Sequence, residues 1–149
     1  YLAWLNDKSV MRYSRQREQS HSRLSALSYL KSFHHTDNLF LAVDDIKTDK
    51  SIGTMTVYIE AYHGTADIGI LIGERDLWGK GFGFDAWSTI MDYLSQSRKI
   101  RKIAGGAVSL NAGMIKIMER AGMCLEATRK AQRVIDGQLT DEVLYARFV

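Results

Sequence analysis

Proline is absent from all 149 residues, against a typical usage of about 5%. Turns and helix starts must therefore be read from glycine, asparagine, aspartate and serine. Cysteine occurs once, at Cys124, which rules out an intrachain disulfide. The apolar neighbours of that thiol predict a buried packing group rather than a nucleophile. A single cysteine also fits a reducing compartment, and a cytoplasmic location is expected. No apolar run approaches the roughly 20 residues that span a bilayer, so no membrane partner is expected. The opening Tyr1-Leu2-Ala3-Trp4 passes at once into polar residues and does not read as a signal peptide. Neither sign of charge dominates, with 20 lysines and arginines against 17 aspartates and glutamates. A net charge of +3 mildly favours an anionic ligand and does not demand nucleic acid. The basic run Arg98, Lys99, Arg101 and Lys102 lacks interleaved aromatics and reads as a solvated face. No metal site is expected.

With 46% hydrophobic and 25% charged residues, the chain reads as one globular domain over 1–149, long enough for a sizeable core. The stretch 67–94 organises it as strand, glycine loop and helix. Residues 67–73 are apolar and β-branched. The loop Trp78-Gly79-Lys80-Gly81-Phe82-Gly83 places three glycines within five residues. Residues 84–95 then form an amphipathic helix, with Trp87, Ile90, Met91 and Leu94 on one face. Glycine backbone can approach a ligand closely, and first-turn N–H groups lack intrahelical partners, so the loop suits a phosphate or pyrophosphate. The plainer alternative is a glycine-rich turn without a ligand.

On either side, residues 1–13 read as a short helix and then a second turn capped by Asn6 or Asp7, and 22–33 as a helix with Leu24, Leu27, Leu30 and Phe33 as its apolar face. Strands follow at 39–43 and 51–60, and residues 61–65 turn into the central strand. After the long helix come a strand at 103–109 and a helix at 111–121, capped by Asn111 and stopped by Gly122. Two final strands, 123–134 and 138–148, flank an Asp136-Gly137 hairpin turn. The result is a mixed α/β fold with a largely antiparallel central sheet flanked by helices. The last two strands offer an edge through which two copies would pair as a homodimer.

Two nucleotide readings fail on spacing. A dinucleotide fingerprint needs GxGxxG with an acid about 20 residues on; here the spacing is GxGxG and the next strand ends Gly105-Gly106-Ala107-Val108. A Walker loop is excluded because Lys80 lies between the glycines. The loop resembles instead the signature of the GNAT superfamily of acetyl-CoA-dependent N-acetyltransferases, Arg/Gln-x-x-Gly-x-Gly/Ala, with Trp78 in first place. Downstream, Asn111, Ala112, Glu119, Arg120, Ala121, Gly122 and Met123 resemble the family's Asn-…-Glu-Lys-Leu-Gly-Phe helix. The opening Trp4-Leu5-Asn6-Asp7 and Val10-Met11-Arg12-Tyr13 are similar to the branch that acetylates ribosomal-protein N-termini and nucleotide-linked amino sugars. The family's first strand has no counterpart here.

The resemblance implies acetyl-CoA as cosubstrate and a small-molecule amine or a protein N-terminus as acceptor. It implies that Gly79, Lys80, Gly81, Phe82 and Gly83 hold the CoA pyrophosphate. Leu71, Ile72 and Gly73 would pair with the pantetheine arm, and Asn111 would contact it. An alkylammonium must lose a proton before it attacks a thioester. Asp67, where a related branch has a glutamate, is the favoured base; Glu60, Glu74 and His63 are alternatives. Met118 occupies the position of the tyrosine that often protonates the leaving thiolate, so a dedicated general acid is in doubt; Tyr58, Tyr93 and Tyr145 are the other tyrosines weighed. Arg15 and Arg17 are read as facing the acceptor, where they would meet a diphosphate or an acidic terminus.

Overall fold

The computed structural model describes residues 1–97 and 99–149, so Arg98 of the basic run lies outside the described residues. The elements are α1 (Leu2–Leu5), α2 (Arg23–Lys31), β1 (Leu39–Asp45), β2 (Lys50–Glu60), β3 (Thr65–Ile72), α3 (Phe82–Ser97), β4 (Lys102–Val108), α4 (Ala112–Arg120), β5 (Cys124–Ile135) and β6 (Gln138–Phe148). A 3-10 turn at Arg75–Leu77 precedes the glycine loop. The strands form one sheet in the order β1-β2-β3-β4-β6-β5, antiparallel except between β3 and β4. Among the described residues, no helix is long and apolar enough to cross a membrane.

Alternation sends every second side chain of each strand to the same face. Met55, Val57, Ala66, Ile68, Ile103, Val143 and Tyr145 point to one face and meet Trp87, Ile90, Met91 and Leu94 of α3 and Met118 of α4. Gly105 lies under Trp87: a Cβ there would stand 2.9 Å from the indole. On the opposite face α1 and α2 pack over the first three strands, with Leu5, Met11 and Ala26 against Leu71.

Ser22 caps α2 through a reciprocal pair of hydrogen bonds with Ser25. The buried face of this helix is not the expected leucine row. Leu24 is 80% exposed and Leu27 43%, whereas Ala26 and Phe33 are buried. Residues 26, 29, 30 and 33 also have helical spacing, and that register wins because Tyr29 and Phe33 meet Phe40 edge-on and Phe33 also packs on the tilted ring of Tyr58. Cys124 is exposed rather than buried. Met123 takes the core position beside it, and β5 is the outer strand of the sheet, so the next side chain faces out. At the hairpin, Asp136 and Gly137 have φ of 51° and 80°, the two positive values that a two-residue primed turn requires.

Candidate active site

The parallel ladder between β3 and β4 consists of Thr65↔Lys102, Ala66↔Ile103 and Asp67↔Ala104, and the strands then part. β4 continues along β6, and β3 along β2. One edge of β3 is therefore left without a strand beyond Asp67. Gly73 donates its N–H to the Ile52 carbonyl at 2.9 Å. Peptide groups alternate sides along a strand, so Leu71 also turns to β2, while the N–H groups of Ile70 and Ile72 face the gap. The Ile72 carbonyl accepts the Trp78 indole N–H at 2.8 Å. Of the three residues expected at this edge, only Ile72 presents its peptide group there, and Ile70 joins it. Leu71 packs beneath the N-terminal segment. Gly73 is glycine because a Cβ would lie 2.0 Å from the Trp4 ring.

The glycine loop is open where the edge is open. Gly79 and Gly81 have φ of 73° and 96°, which glycine adopts without strain, and a Cβ on either would meet nothing within 4 Å. Gly83 serves packing instead: a Cβ there would stand 3.0 Å from the Ile117 side chain, so its absence lets α3 approach α4. Asp85 makes the first bond of α3, to the Gly81 carbonyl at 3.0 Å. Among the described residues, the N–H groups of Gly79, Gly81, Phe82, Gly83 and Phe84 have no protein acceptor, and the exposed Lys80 stands among them. Five main-chain donors at the start of a 16-residue helix make an electropositive surface whose chemistry suits an anion.

Asp67 stands at the last paired position before the strands diverge. It lines a cleft with Tyr58, Glu60, Thr65, Lys102 and Ala104. Solvent reaches it from the mouth of the cleft, yet the protein around its carboxyl pushes the pKa above the ordinary value; Arg15 opposes that shift and Glu142 adds to it. Glu142 on β6 is 3% exposed. It accepts hydrogen bonds from Arg15 at 2.9 Å, Arg133 at 2.8 Å and Arg129 at 3.2 Å. Burial raises its pKa, but the Arg133 bond and the Arg15 charge outweigh burial and hold the carboxyl below its usual range. Glu142, Arg129 and Arg133 were not among the residues expected from the sequence.

The profile of the acetyltransferase (GNAT) domain family matches residues 1–124. The chain belongs to that family. Over 101 residues it is 29% identical to the uncharacterized N-acetyltransferase p20 of Bacillus licheniformis, covering 67% of this chain and 56% of that protein. It thus spans little more than half the length of that curated relative. The spermidine N-acetyltransferase of Vibrio cholerae, solved with CoA and spermine, superposes with a TM-score of 0.85 at 21% identity, over 99% of this chain and 86% of that one. The microcin C7 self-immunity acetyltransferase MccE, solved with acetyl-CoA and AMP, superposes with a TM-score of 0.81 at 18% identity, over 99% and 84%.

Within this GNAT domain the remaining candidates divide. Asn111 caps α4, its side-chain oxygen accepting the Met114 N–H at 3.1 Å, which leaves its amide hydrogens for another partner. Glu74 accepts the Trp4 indole N–H at 3.1 Å, and so has a structural task. His63 lies in the turn before β3, away from the point where the strands part. Glu60 shares the cleft with Asp67. Met118 is fully buried and has no proton to give. The Tyr145 hydroxyl donates to Glu119 at 3.1 Å, and Tyr58 shares a 2.7 Å hydrogen bond with Tyr29. Arg17 is tied to Asp136 at 2.7 Å and to Glu18 at 2.8 Å, so it does not present a bare guanidinium to the cleft. In the basic run, Arg101 donates to the His63 carbonyl and Lys102 pairs with Glu126.

Proposed function

We propose that this GNAT domain transfers an acetyl group from acetyl-CoA to a primary amine held in a ternary complex. The observation that carries this reading is the continuity of two unpaired main-chain surfaces, the edge of β3 beyond Asp67 and the donor-rich loop at residues 79–84. The loop N–H groups bind the pyrophosphate, with Lys80 adding charge. Ile70 and Ile72 pair with the pantetheine arm, and Asn111 donates to it. Acetyl-CoA supplies the thioester. Asp67, at the apex of the gap, takes a proton from the acceptor ammonium, directly or through a water. The freed amine forms a bond to the carbonyl carbon while main-chain donors stabilise the charge on its oxygen. The nitrogen gives up its second proton to solvent as the C–S bond breaks, and the thiolate takes a proton from solvent, since Met118 offers none.

The acceptor we favour is an amino sugar linked to a nucleotide, with a protein N-terminus second. The CoA and acetyl-CoA found in the two structural neighbours support the cosubstrate. The lone cysteine fits a cytoplasmic protein. A homodimer would use the outer edge of β5, where Leu125 and Val134 are exposed. A second reading, acyl-CoA binding without turnover, draws on Met118 in place of a proton donor.

Release of free thiol from acetyl-CoA across a panel of amines decides between the two. Turnover that depends on both the amine and Asp67 is the expected result. Tight CoA binding with no turnover on any amine supports the second reading.

A further inference from the structure

Glu142 is a buried carboxylate with more cations around it than it can neutralise. Arg15 comes from the loop before α2, and Arg129 and Arg133 from β5. Three guanidinium groups on one carboxylate leave two positive charges in excess within the cluster, before the Asp67 and Glu60 carboxyls of the cleft are counted. A structural staple between loop and hairpin needs only one such pair, and Arg17 with Asp136 already supplies one at 2.7 Å. The Arg15 and Arg129 side chains are also 64% and 54% exposed. Among the described residues each gives Glu142 a single N–H. A guanidinium carries five N–H donors in a planar fork that matches carboxylate and phosphate oxygens in pairs. The unused part of each fork is therefore open to solvent, and the charges of Arg15 and Glu142 both reach Asp67.

We infer that Arg15 and Arg129, aimed by the buried Glu142, bind an anionic group on the acceptor, so that the amine acetylated here carries a phosphate or a carboxylate. The inference rests on the transferase reading of this cleft and narrows its substrate class. Glu142 is a positioning residue: it holds the guanidinium groups in place and keeps them from closing on Asp67. Arg133, 28% exposed and bonded to Glu142 through two nitrogens, anchors the cluster. The exposed guanidinium groups of Arg15 and Arg129 disfavour polycationic acceptors of the kind bound by the Vibrio cholerae neighbour.

The test uses matched amines on the full chain saturated with CoA, so that binding is read without turnover. Glucosamine 6-phosphate is compared with glucosamine, dialanine with its C-terminal amide, and spermidine is the polycationic arm. Titration calorimetry is expected to show at least one anionic member binding roughly tenfold tighter than its neutral counterpart. That preference should shrink with added salt, fall towards unity in Arg129→Gln, and be intermediate in Arg129→Lys, which keeps the charge and loses the fork. The pair that shows it tells phosphate from carboxylate. The wild-type comparison does not depend on any variant folding. Equal binding within each pair, tightest binding of spermidine, or no binding of any amine overturns the inference. The same amines are then assayed with acetyl-CoA. Turnover without anionic preference defeats the inference and leaves the transferase reading intact. Anionic preference in binding with no turnover defeats the transferase reading and leaves the anion site standing.

Discussion

The glycine loop and the arginine cluster on Glu142 are two different kinds of positive surface. The loop presents main-chain N–H groups fixed by the start of α3, and its glycines have open space in front of them. The cluster presents side chains gathered from three parts of the chain, and their positions depend on one buried carboxylate. A site made of backbone is set by local conformation and tolerates neighbours of many kinds. A site made of ion-paired side chains is set by tertiary packing, and one substitution can disperse it. The two regions should therefore fail differently when perturbed.

The largest effect is expected at Asp67. Asp67→Asn should lower kcat/KM by roughly 100-fold to 10,000-fold below the amine's own pKa, and much less above it, where the amine is already neutral. Because burial raises this carboxyl, with Glu142 adding and Arg15 opposing, the acid limb of the wild-type profile should lie above the ordinary aspartate value of about 3.9. A profile that the substitution leaves unchanged removes Asp67 as the base. Next is Gly81→Val, which forces a β-branched residue to φ 96°. CoA affinity should fall roughly tenfold to a hundredfold. Gly137→Val strains a comparable position in the hairpin, at φ 80°, and should lower thermal stability without changing CoA affinity. If both variants bind CoA alike, the loop is not the site.

The cluster is broken through Glu142. Glu142→Gln removes the charge shared by three arginines and should cost about 2 kcal/mol in denaturant unfolding; loss of a buried pair costs more, but these partners are partly exposed. The sign with pH follows from its depressed pKa. Its stabilisation is present above the unfolded-state value of about 4.3 and is lost as pH falls through the lower folded value. The variant should lack that part of the acid dependence, and an identical acid transition in both proteins contradicts the assignment. The smallest effect on ligand binding is expected for Gly73→Ala. Its methyl group would displace the Trp4 indole and cost about 1–3 kcal/mol, with CoA affinity little changed because the Gly73 peptide faces β2.

The same contrast explains what could be read from the sequence. The strand, loop and helix at 67–94 were legible because glycine spacing and helical periodicity are local. The apolar face Trp87, Ile90, Met91 and Leu94 is buried as its spacing predicts. The order of strands and helices and the Asp136-Gly137 turn were legible for the same reason. The register of α2 was not, because two apolar faces compete in that segment and the aromatic cluster with Phe40 and Tyr58 decides between them. The alternation of peptide groups on β3 was hidden too, since it depends on which neighbour Gly73 bonds. Least legible was the arginine wall. Counting outward from the hairpin turn pairs Arg133 with Thr140, but the irregularity between Arg129 and Arg133 then shifts the register that brings Arg129 opposite Glu142. Arg15, 127 residues from its carboxylate, gave no sign of it.

Thermal unfolding with acetyl-CoA, CoA, NAD and ATP in parallel tests the account most directly. A ligand that binds only the native state raises the midpoint, by about 2.7 kcal/mol of stability at 100 times its Kd. The account predicts a rise with the two CoA species, reduced in Gly81→Val, and little with NAD or ATP. No rise with CoA, or a rise with NAD in its place, would contradict it.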